Sequence, residues 1–505
     1  MRPEVDDRLL ATYGADDDLR GRSVRGGVVT LTGQGGRFVL QLGSMMVLAR
    51  LLAPEDFGLL AMVAAVTGVV GVFKDFGLAS ATVQRREITH RQVSNLFWIN
   101  VGVSGALTAI AAAAAPAIAA FYDEPRLVGI TLALSSTFLL GGLTAQHLAL
   151  LRRSMRFTVL AAIEVAGLAF GVVVAVAAAW LGAGYWALVL MQVALAAAKM
   201  VLSWGASPWR PSAPTRAVDV RPLVRFGANL SGFALVNYVG RNADDALIGW
   251  QLGADSLGMY SRAYAVLMMP IKQIDGPLTG VAVPGLSRLQ DQPLAYRRFY
   301  CQAILIIAYL ALPLIAAMAA VPSQIILIFL GDQWEEAGII FRILAFAAIS
   351  QPILFTAGWI HTSLGRTDRM FRWSLVSVPV YVLSFVVGLR WGTTGVAVAY
   401  AIAVNLLFLP TMAYAFHGTP VRVRDLGAVV WRPLLFAGIL YVVASVVVTL
   451  LPTTVGPFVT IALAIGAGGA TAGLGVLLVP GARAQVGSLI ALRHELLGRS
   501  KRTHA

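Results

Sequence analysis

From Val28 to its C-terminal region the chain is cut into apolar runs of about 18 residues or more, separated by short clusters of charged and turn-forming residues. As a helix, a run of that length matches a hydrocarbon core roughly 30 Å thick. The runs are continuously apolar and rich in Ala, Leu, Val and Gly. They do not alternate, which excludes a β-barrel and leaves helices as the way to satisfy the backbone in lipid. The chain is 58% hydrophobic and 13% charged, with a mean hydropathy of +0.76. That is too little polar side chain to cover a surface facing water.

Candidate spans begin near Val28, Glu55, Arg91, Arg126, Phe157, Tyr185, Pro222, Asp255, Arg298, Glu335, Met370, Thr394, Pro433 and Gly456. The expectation is therefore an all-α integral membrane protein of about 14 transmembrane helices. All but ten of its 39 Lys and Arg residues fall in connections on one side. Three of those ten (Arg50, Arg126 and Arg390) lie in connections on the other side and seven lie within spans. By the positive-inside rule this makes the protein multi-pass in the inner (cytoplasmic) membrane, with both termini cytosolic. A net charge of +14 distributed in this way points to membrane topology and away from nucleic acid.

The first 26 residues have no apolar core or small-residue cleavage site and read as a cytosolic tail. The Asp16-Asp17-Asp18 run within that tail reads as solvated acid. With a single cysteine, Cys301, the chain offers neither an internal disulfide nor a Cys-based metal site. The connections are short, which leaves no room for a soluble catalytic domain between spans. No residue is assigned to catalysis, to a metal or to a cofactor.

An internal repeat is visible. A shift of 200 places Leu52-Ala53-Pro54-Glu55-Asp56-Phe57-Gly58-Leu59 on Leu252-Gly253-Ala254-Asp255-Ser256-Leu257-Gly258-Met259. A shift of 210 places Leu181-Gly182 on Trp391-Gly392. The parse is a tail (1–26), a six-span lobe (27–206), a cytosolic linker (207–221), a second six-span lobe (222–417), two extra helices (418–480) and a basic cytosolic tail (481–505). An even number of spans per lobe makes the repeat parallel, with a pseudo-twofold along the membrane normal, as in alternating-access transporters.

Ionisable residues within spans are functional candidates, because each costs roughly 2.5–3.5 kcal/mol at the bilayer centre. The seven cations are Arg37, Lys74, Lys199, Arg241, Arg262, Lys272 and Arg342. Lys199 and Arg262 lie about two turns from span ends, within reach of headgroups by snorkelling. Arg37 is deep in span one with no acid at helical spacing, and is the first choice for an anion contact. Arg241 has Asp244 and Asp245 at i+3 and i+4, and Lys272 has Asp275 at i+3. Lys74 and Asp75 are adjacent and point to different sides. Arg37, Lys74, Arg241 and Lys272 are the expected substrate-binding residues. Glu164, without a local partner, joins Asp75 and Asp244 as a candidate for ion coupling. Gly33, Gly35, Gly36 and Gly43 in span one are expected to allow close helix packing.

The stretches LARLLAPEDFGLLAMVAAVTGVVGVFKDFGLASATVQR, NADDALIGWQLGADSLGMYSRAYAVLMMPIKQI, VPGLSRLQDQPLAYRRFY, LLRRSMRFTVLAAIEV and GAGYWALVL resemble polysaccharide exporters. The resemblance is to Wzx-like flippases of the multidrug/oligosaccharidyl-lipid/polysaccharide superfamily, in the branch typified by colanic-acid exporters. It covers about 27–409 and speaks to the family more than to the substrate. It implies a two-lobed, MATE-like bundle with a central cavity for the diphosphate and sugars of an undecaprenyl-diphosphate-linked repeat unit. It further implies flipping by alternating access, lined by the helices that carry Arg37, Lys74, Arg241 and Lys272. Coupling to H+ or Na+, or use of the membrane potential, is the implied drive, and polysaccharide polymerase or assembly proteins are the implied partners. The rival readings are a cation-coupled multidrug antiporter of the same superfamily and a membrane-embedded polysaccharide polymerase or ligase. A cationic cavity argues against the first and short outer connections against the second. Lipid II and teichuronic or exopolysaccharide units remain open as substrates.

Overall fold

The computed structural model describes residues 19–71, 79, 82–83, 88–214, 221–452 and 454–487, with only the backbone described at 19–32 and 221–237. Helices dominate, and no strand occurs among the described residues. This is what lipid demands of a backbone that must satisfy its own hydrogen bonds. In chain order the helices are α1 (Leu19–Leu51), α2 (Pro54–Gly71), α3 (His90–Tyr122), α4 (Arg126–Arg153), α5 (Phe157–Trp180) and α6 (Trp186–Ala206). Then come α7 (Arg221–Arg288), α8 (Pro293–Ala320), α9 (Pro322–Phe329), α10 (Glu335–Ala348), α11 (Gln351–Ser363), α12 (Thr367–Gly388), α13 (Gly392–Phe416), α14 (Val423–Leu450) and α15 (Pro457–Leu478).

Each expected span has a helix at its place. Among the described residues nine helical stretches are long and apolar enough to cross a membrane, or ten with α10 and α11 counted as one span bent by 42°. That count takes α12 and α13 together and passes over α1 and α7, whose charges lower their hydropathy. Helix α7 is two arms joined at Gly253, whose φ of 84° and ψ of 179° interrupt the helix. Local chemistry sets several starts. Thr89 and Gln92 form a reciprocal capping box ahead of α3, and proline occupies the first turn of α8, α9 and α15.

The chain divides into two compact units, Met1–Gly258 and Met259–Ala505, with the division inside α7. In the first unit α3 packs on α4, α5 on α6 and on α1, and α4 on α6. In the second, α8 packs on α14, α14 on α15, α12 on α13 and α10 on α13.

The repeat read at a shift of 200 is a physical contact within the first unit. A Cβ on Gly58 would lie 1.7 Å from the Ala254 carbonyl oxygen, and a Cβ on Gly258 would lie 1.9 Å from that of Pro54. Exchanging 54 with 254 and 58 with 258 maps the contact onto itself, which is a local twofold. Only glycine lets the two backbones touch there. Helix α2 continues along α7, with Met62 against Gly249 and the Tyr238 hydroxyl donating to the Ala64 carbonyl at 2.7 Å.

The shift of 210 is equally concrete. Gly182, ahead of α6, and Gly392, the first residue of α13, both take a left-handed φ, of 78° and 69°. Met155 and Gly365, also 210 apart, do the same ahead of α5 and α12, at 52° and 66°. The next residue in each copy caps a distant helix. Arg156 donates to the Ala206 carbonyl at 3.2 Å, and Arg366 to the carbonyls of His417 and Gly418 at 3.1 and 2.9 Å.

Residues 207–214, read from the sequence as the start of a linker, are clamped to the helices. Trp209 is fully buried, edge-on to Phe97 and His147. Trp98 Nε1 donates to the Ser212 carbonyl at 2.8 Å, and the Ser212 N–H donates to Ser94 Oγ at 3.1 Å.

Candidate functional site

The site grows from the hairpin of α5 and α6. Arg156, at the start of α5, ties the end of α6 to it, so both helices are counted from the same level. Glu164 is seven residues past Phe157, and Lys199 is seven before Ala206. At 1.5 Å per residue each lies about 10 Å from that level, so the two meet, inside a core roughly 30 Å thick. Lys199 Nζ donates to Glu164 Oε2 at 2.7 Å.

Glycine makes the approach close. A Cβ on Gly167 would be 2.9 Å from Lys199 Cγ, so the lysine stem lies across α5 where a side chain is missing. One turn further, a Cβ on Gly171 would be 2.9 Å from the Met191 carbonyl oxygen. Helix α1 joins from the other side, where a Cβ on Gly33 would be 2.8 Å from that of Ala161. One turn beyond that contact, Arg37 Nη1 reaches Glu164 Oε2 at 3.5 Å.

One carboxylate thus stands between two cations, and the cluster carries one net positive charge. The three side chains differ in exposure: Lys199 is 22% exposed, Glu164 31% and Arg37 54%. A guanidinium open to this degree at that depth is stable against water, headgroups or an anion, not against acyl chains. Pairing with Glu164 lowers the cost of burying the other two charges. The arrangement can therefore offer one positive, fork-shaped donor to an anion while its neighbours stay neutralised.

Three sequence expectations change here. Glu164 is not uncompensated: its partners come from α1 and α6 rather than from its own helix. Lys199 does not reach for headgroups but turns inward to that carboxylate. Of the span-one glycines, Gly33 meets a neighbour, while Gly35, Gly36 and Gly43 have no described residue within 4 Å of where a Cβ would stand. A signal for the Lys199 pair was present in the sequence, since residues equally far from the shared end of an antiparallel helix pair face each other.

The other candidates are placed separately. Arg241 is exposed on the first arm of α7, one turn before the buried Asp244. Lys272 is exposed on the second arm and belongs to the second unit. Lys74 and Asp75 lie outside the described residues. In the second unit the bend between α10 and α11 is braced by polar side chains that sequence reading passed over. Ser350 donates to Asn405 Oδ1 at 2.5 Å, and Gln351 Nε2 donates to the Tyr400 hydroxyl at 3.2 Å. Among the described residues no group of three or more His, Cys, Asp or Glu could hold a metal ion.

The teichuronic acid biosynthesis protein TuaB of Bacillus subtilis (strain 168) is 29% identical over 340 residues, covering 66% of this chain and 70% of that protein. The lipopolysaccharide biosynthesis protein WzxC of Escherichia coli (strain K12) is 24% identical over 368 residues, covering 72% and 74%. Among solved structures the lipid II flippase MurJ in its inward closed conformation matches with a TM-score of 0.71 at 12% identity, covering 89% of this chain and 99% of that one. That likeness establishes the fold. The family model described as polysaccharide biosynthesis protein matches residues 47–339, more than half of the chain, and the chain belongs to that family.

Proposed function

We propose that the protein is a flippase that carries an undecaprenyl-diphosphate-linked oligosaccharide repeat unit across the cytoplasmic membrane for surface or exopolysaccharide synthesis, with both termini in the cytoplasm. The observation that carries this reading is the half-exposed Arg37 in a net-positive cluster held within the membrane bundle. A diphosphate is recognised by charge-assisted, bidentate contacts in a shielded site, and an arginine fork suits it. Membership in the family and a fold shared with a lipid II flippase support the substrate class.

Arg37 is the primary phosphate contact in this reading, with Lys74, Arg241 and Lys272 as further cations along the path. Alternating access moves the head group while the lipid tail stays in the bilayer. The drive is H+ or Na+ coupling, with Asp75 and Asp244 as its carriers, or the membrane potential. Polymerase or assembly proteins would receive the flipped unit. The cationic cluster does not suit the cationic substrates of a multidrug antiporter.

The test is to delete the gene and identify the lipid-linked species that accumulates. A lipid diphosphate-linked oligosaccharide on the cytoplasmic face, cleared by the restored wild-type gene, is the expected result. Accumulation of single lipid-linked units on the outer face would instead assign the protein to polymerisation, and accumulation of unligated polymer there to ligation.

A further inference from the structure

Both cations of the cluster address the same oxygen, Glu164 Oε2, and they do so unequally. Lys199 makes a hydrogen bond of 2.7 Å, and both partners of that bond are mostly covered. Arg37 stands 3.5 Å away and is more than half exposed. The first contact has the length of a charge-assisted hydrogen bond and the second is longer than one. Exposed ion pairs of the second kind contribute little to stability, so Arg37 is easily drawn away. Glu164 keeps its charge compensated by Lys199 when that happens. Gly167 secures this, since it seats the Lys199 stem against α5 beside the carboxylate.

We infer that Glu164 is a built-in counter-anion: it occupies Arg37 while the site is empty, yields Arg37 to the diphosphate of an entering substrate, and reclaims it to drive release. This deepens, and rests on, the diphosphate-binding role given to Arg37 above. A carboxylate has one bidentate face and a single charge, so it loses the guanidinium to a diphosphate when one is present at hand and recovers it as the ligand leaves. With Glu164 in place the three side chains carry one net positive charge, and without its charge they carry two. Removing that charge therefore tightens the hold on the anion at the expense of letting it go. Glu164 acts through Arg37 and is a positioning residue.

The experiment uses the full-length protein in lipid nanodiscs, with inorganic pyrophosphate and undecaprenyl diphosphate as separate probes, alongside polymer export in cells. Glu164→Gln is expected to bind both probes several-fold more tightly than wild type while exporting more slowly at equal membrane abundance. Glu164→Asp, whose shorter carboxylate stays with Lys199, is expected to fall between the two in affinity. Tighter binding of the lipid alone places the competition at the membrane-bound diphosphate and still supports the swap. Unchanged or weaker affinity in both variants, with a wild-type protein that binds, would overturn the counter-anion and leave the substrate reading standing. A wild-type protein that binds neither probe would overturn both.

Discussion

The α5–α6 hairpin of the first unit and the α12–α13 hairpin of the second are built on one plan and carry different chemistry. Both enter through a left-handed residue and a capping arginine, Met155-Arg156 and Gly365-Arg366, and both turn through a left-handed glycine, Gly182 and Gly392. At the shift of 210 that aligns these features, Glu164 falls on Ser374, Lys199 on Leu409, and Gly167 on Ser377. The charged pair of the first copy is replaced in the second by a serine and a leucine, with hydroxyl and aromatic side chains at neighbouring positions. Ser374 Oγ donates to the Phe371 carbonyl at 2.7 Å, Trp373 Nε1 donates to Thr411 Oγ1 at 3.1 Å, and the Trp373 ring stacks on Tyr414. The repeat thus preserves what the backbone needs and frees the positions midway along the helices. Of the two hairpins, the first carries the ion pair that stands beside Arg37, and the second has no charge at the aligned positions.

The largest effect expected from this difference is on export. Arg37→Ala should abolish polymer output while the protein still accumulates in the membrane, because no other side chain of the cluster presents an open fork. Ser374→Ala, at the place of Glu164 in the second copy, should leave output at the wild-type level. Polymer quantified from cells carrying each variant decides it. Normal export from Arg37→Ala, or loss from Ser374→Ala at normal abundance, would break the assignment of charge chemistry to the first copy.

Next in size are the shared turns. Valine at a left-handed position costs about 1–3 kcal/mol, since its branched Cβ clashes with the following carbonyl. Neither Gly182 nor Gly392 has a neighbour within 4 Å of a built Cβ, so backbone strain alone sets the cost. Gly182→Val and Gly392→Val should lower the thermal midpoint of the purified protein by similar amounts. Midpoints that differ widely would show that the two turns are not equivalent.

A smaller and opposite change is expected at the first entry turn. Met155 holds φ 52° where the second copy has Gly365 at 66°. Met155→Gly should relieve strain of about 1 kcal/mol, partly offset by the greater freedom of glycine in the unfolded chain. A modest rise in thermal midpoint is the outcome to look for. A fall would mean that the Met155 side chain contributes more by packing than its backbone loses.

The apolar runs made the helices legible, because a bilayer permits few alternatives and span length is fixed by its thickness. The repeat at a shift of 200 was legible for a similar reason: Gly58 and Gly258 stand where two backbones touch, and no other residue fits there. The depth of Arg37 in its span marks it as a candidate in the sequence. What escaped was pairing between helices. Glu164 has no partner at i±3 or i±4, and its two cations are 127 and 35 positions away in sequence, a distance that only the packing of α1 and α6 against α5 closes. Lys199 was misread because two turns from a helix end is compatible with both snorkelling and an inward contact. Only the missing side chain at Gly167 decides for the second.

The smallest effect separates two carboxylate clusters of the same unit, one within the helices and one at the α3–α4 turn. Glu124 accepts from Arg126 Nε at 2.8 Å and from Nη2 at 2.6 Å, and Glu55 pairs with the same guanidinium. The Arg126 hydrogen bonds hold the Glu124 carboxyl below its ordinary value of 4.5. Its contribution to stability is therefore complete above that value and is lost as the pH falls through the lowered one. Arg126 and Glu55 are 39% and 46% exposed, although Glu124 itself is mostly covered at 19%, so the contribution is small, and it should fade at about 1 M salt, where the screening length is about 3 Å. Thermal midpoints across pH 3 to 6 are expected to show a shallow acid-side drop that Glu124→Gln removes and high salt flattens. The covered Glu164–Lys199 bond should persist at the same ionic strength, so Glu164→Gln should still change the midpoint in high salt. Equal salt sensitivity in the two variants would show that the helix-embedded cluster is as open to water as the turn.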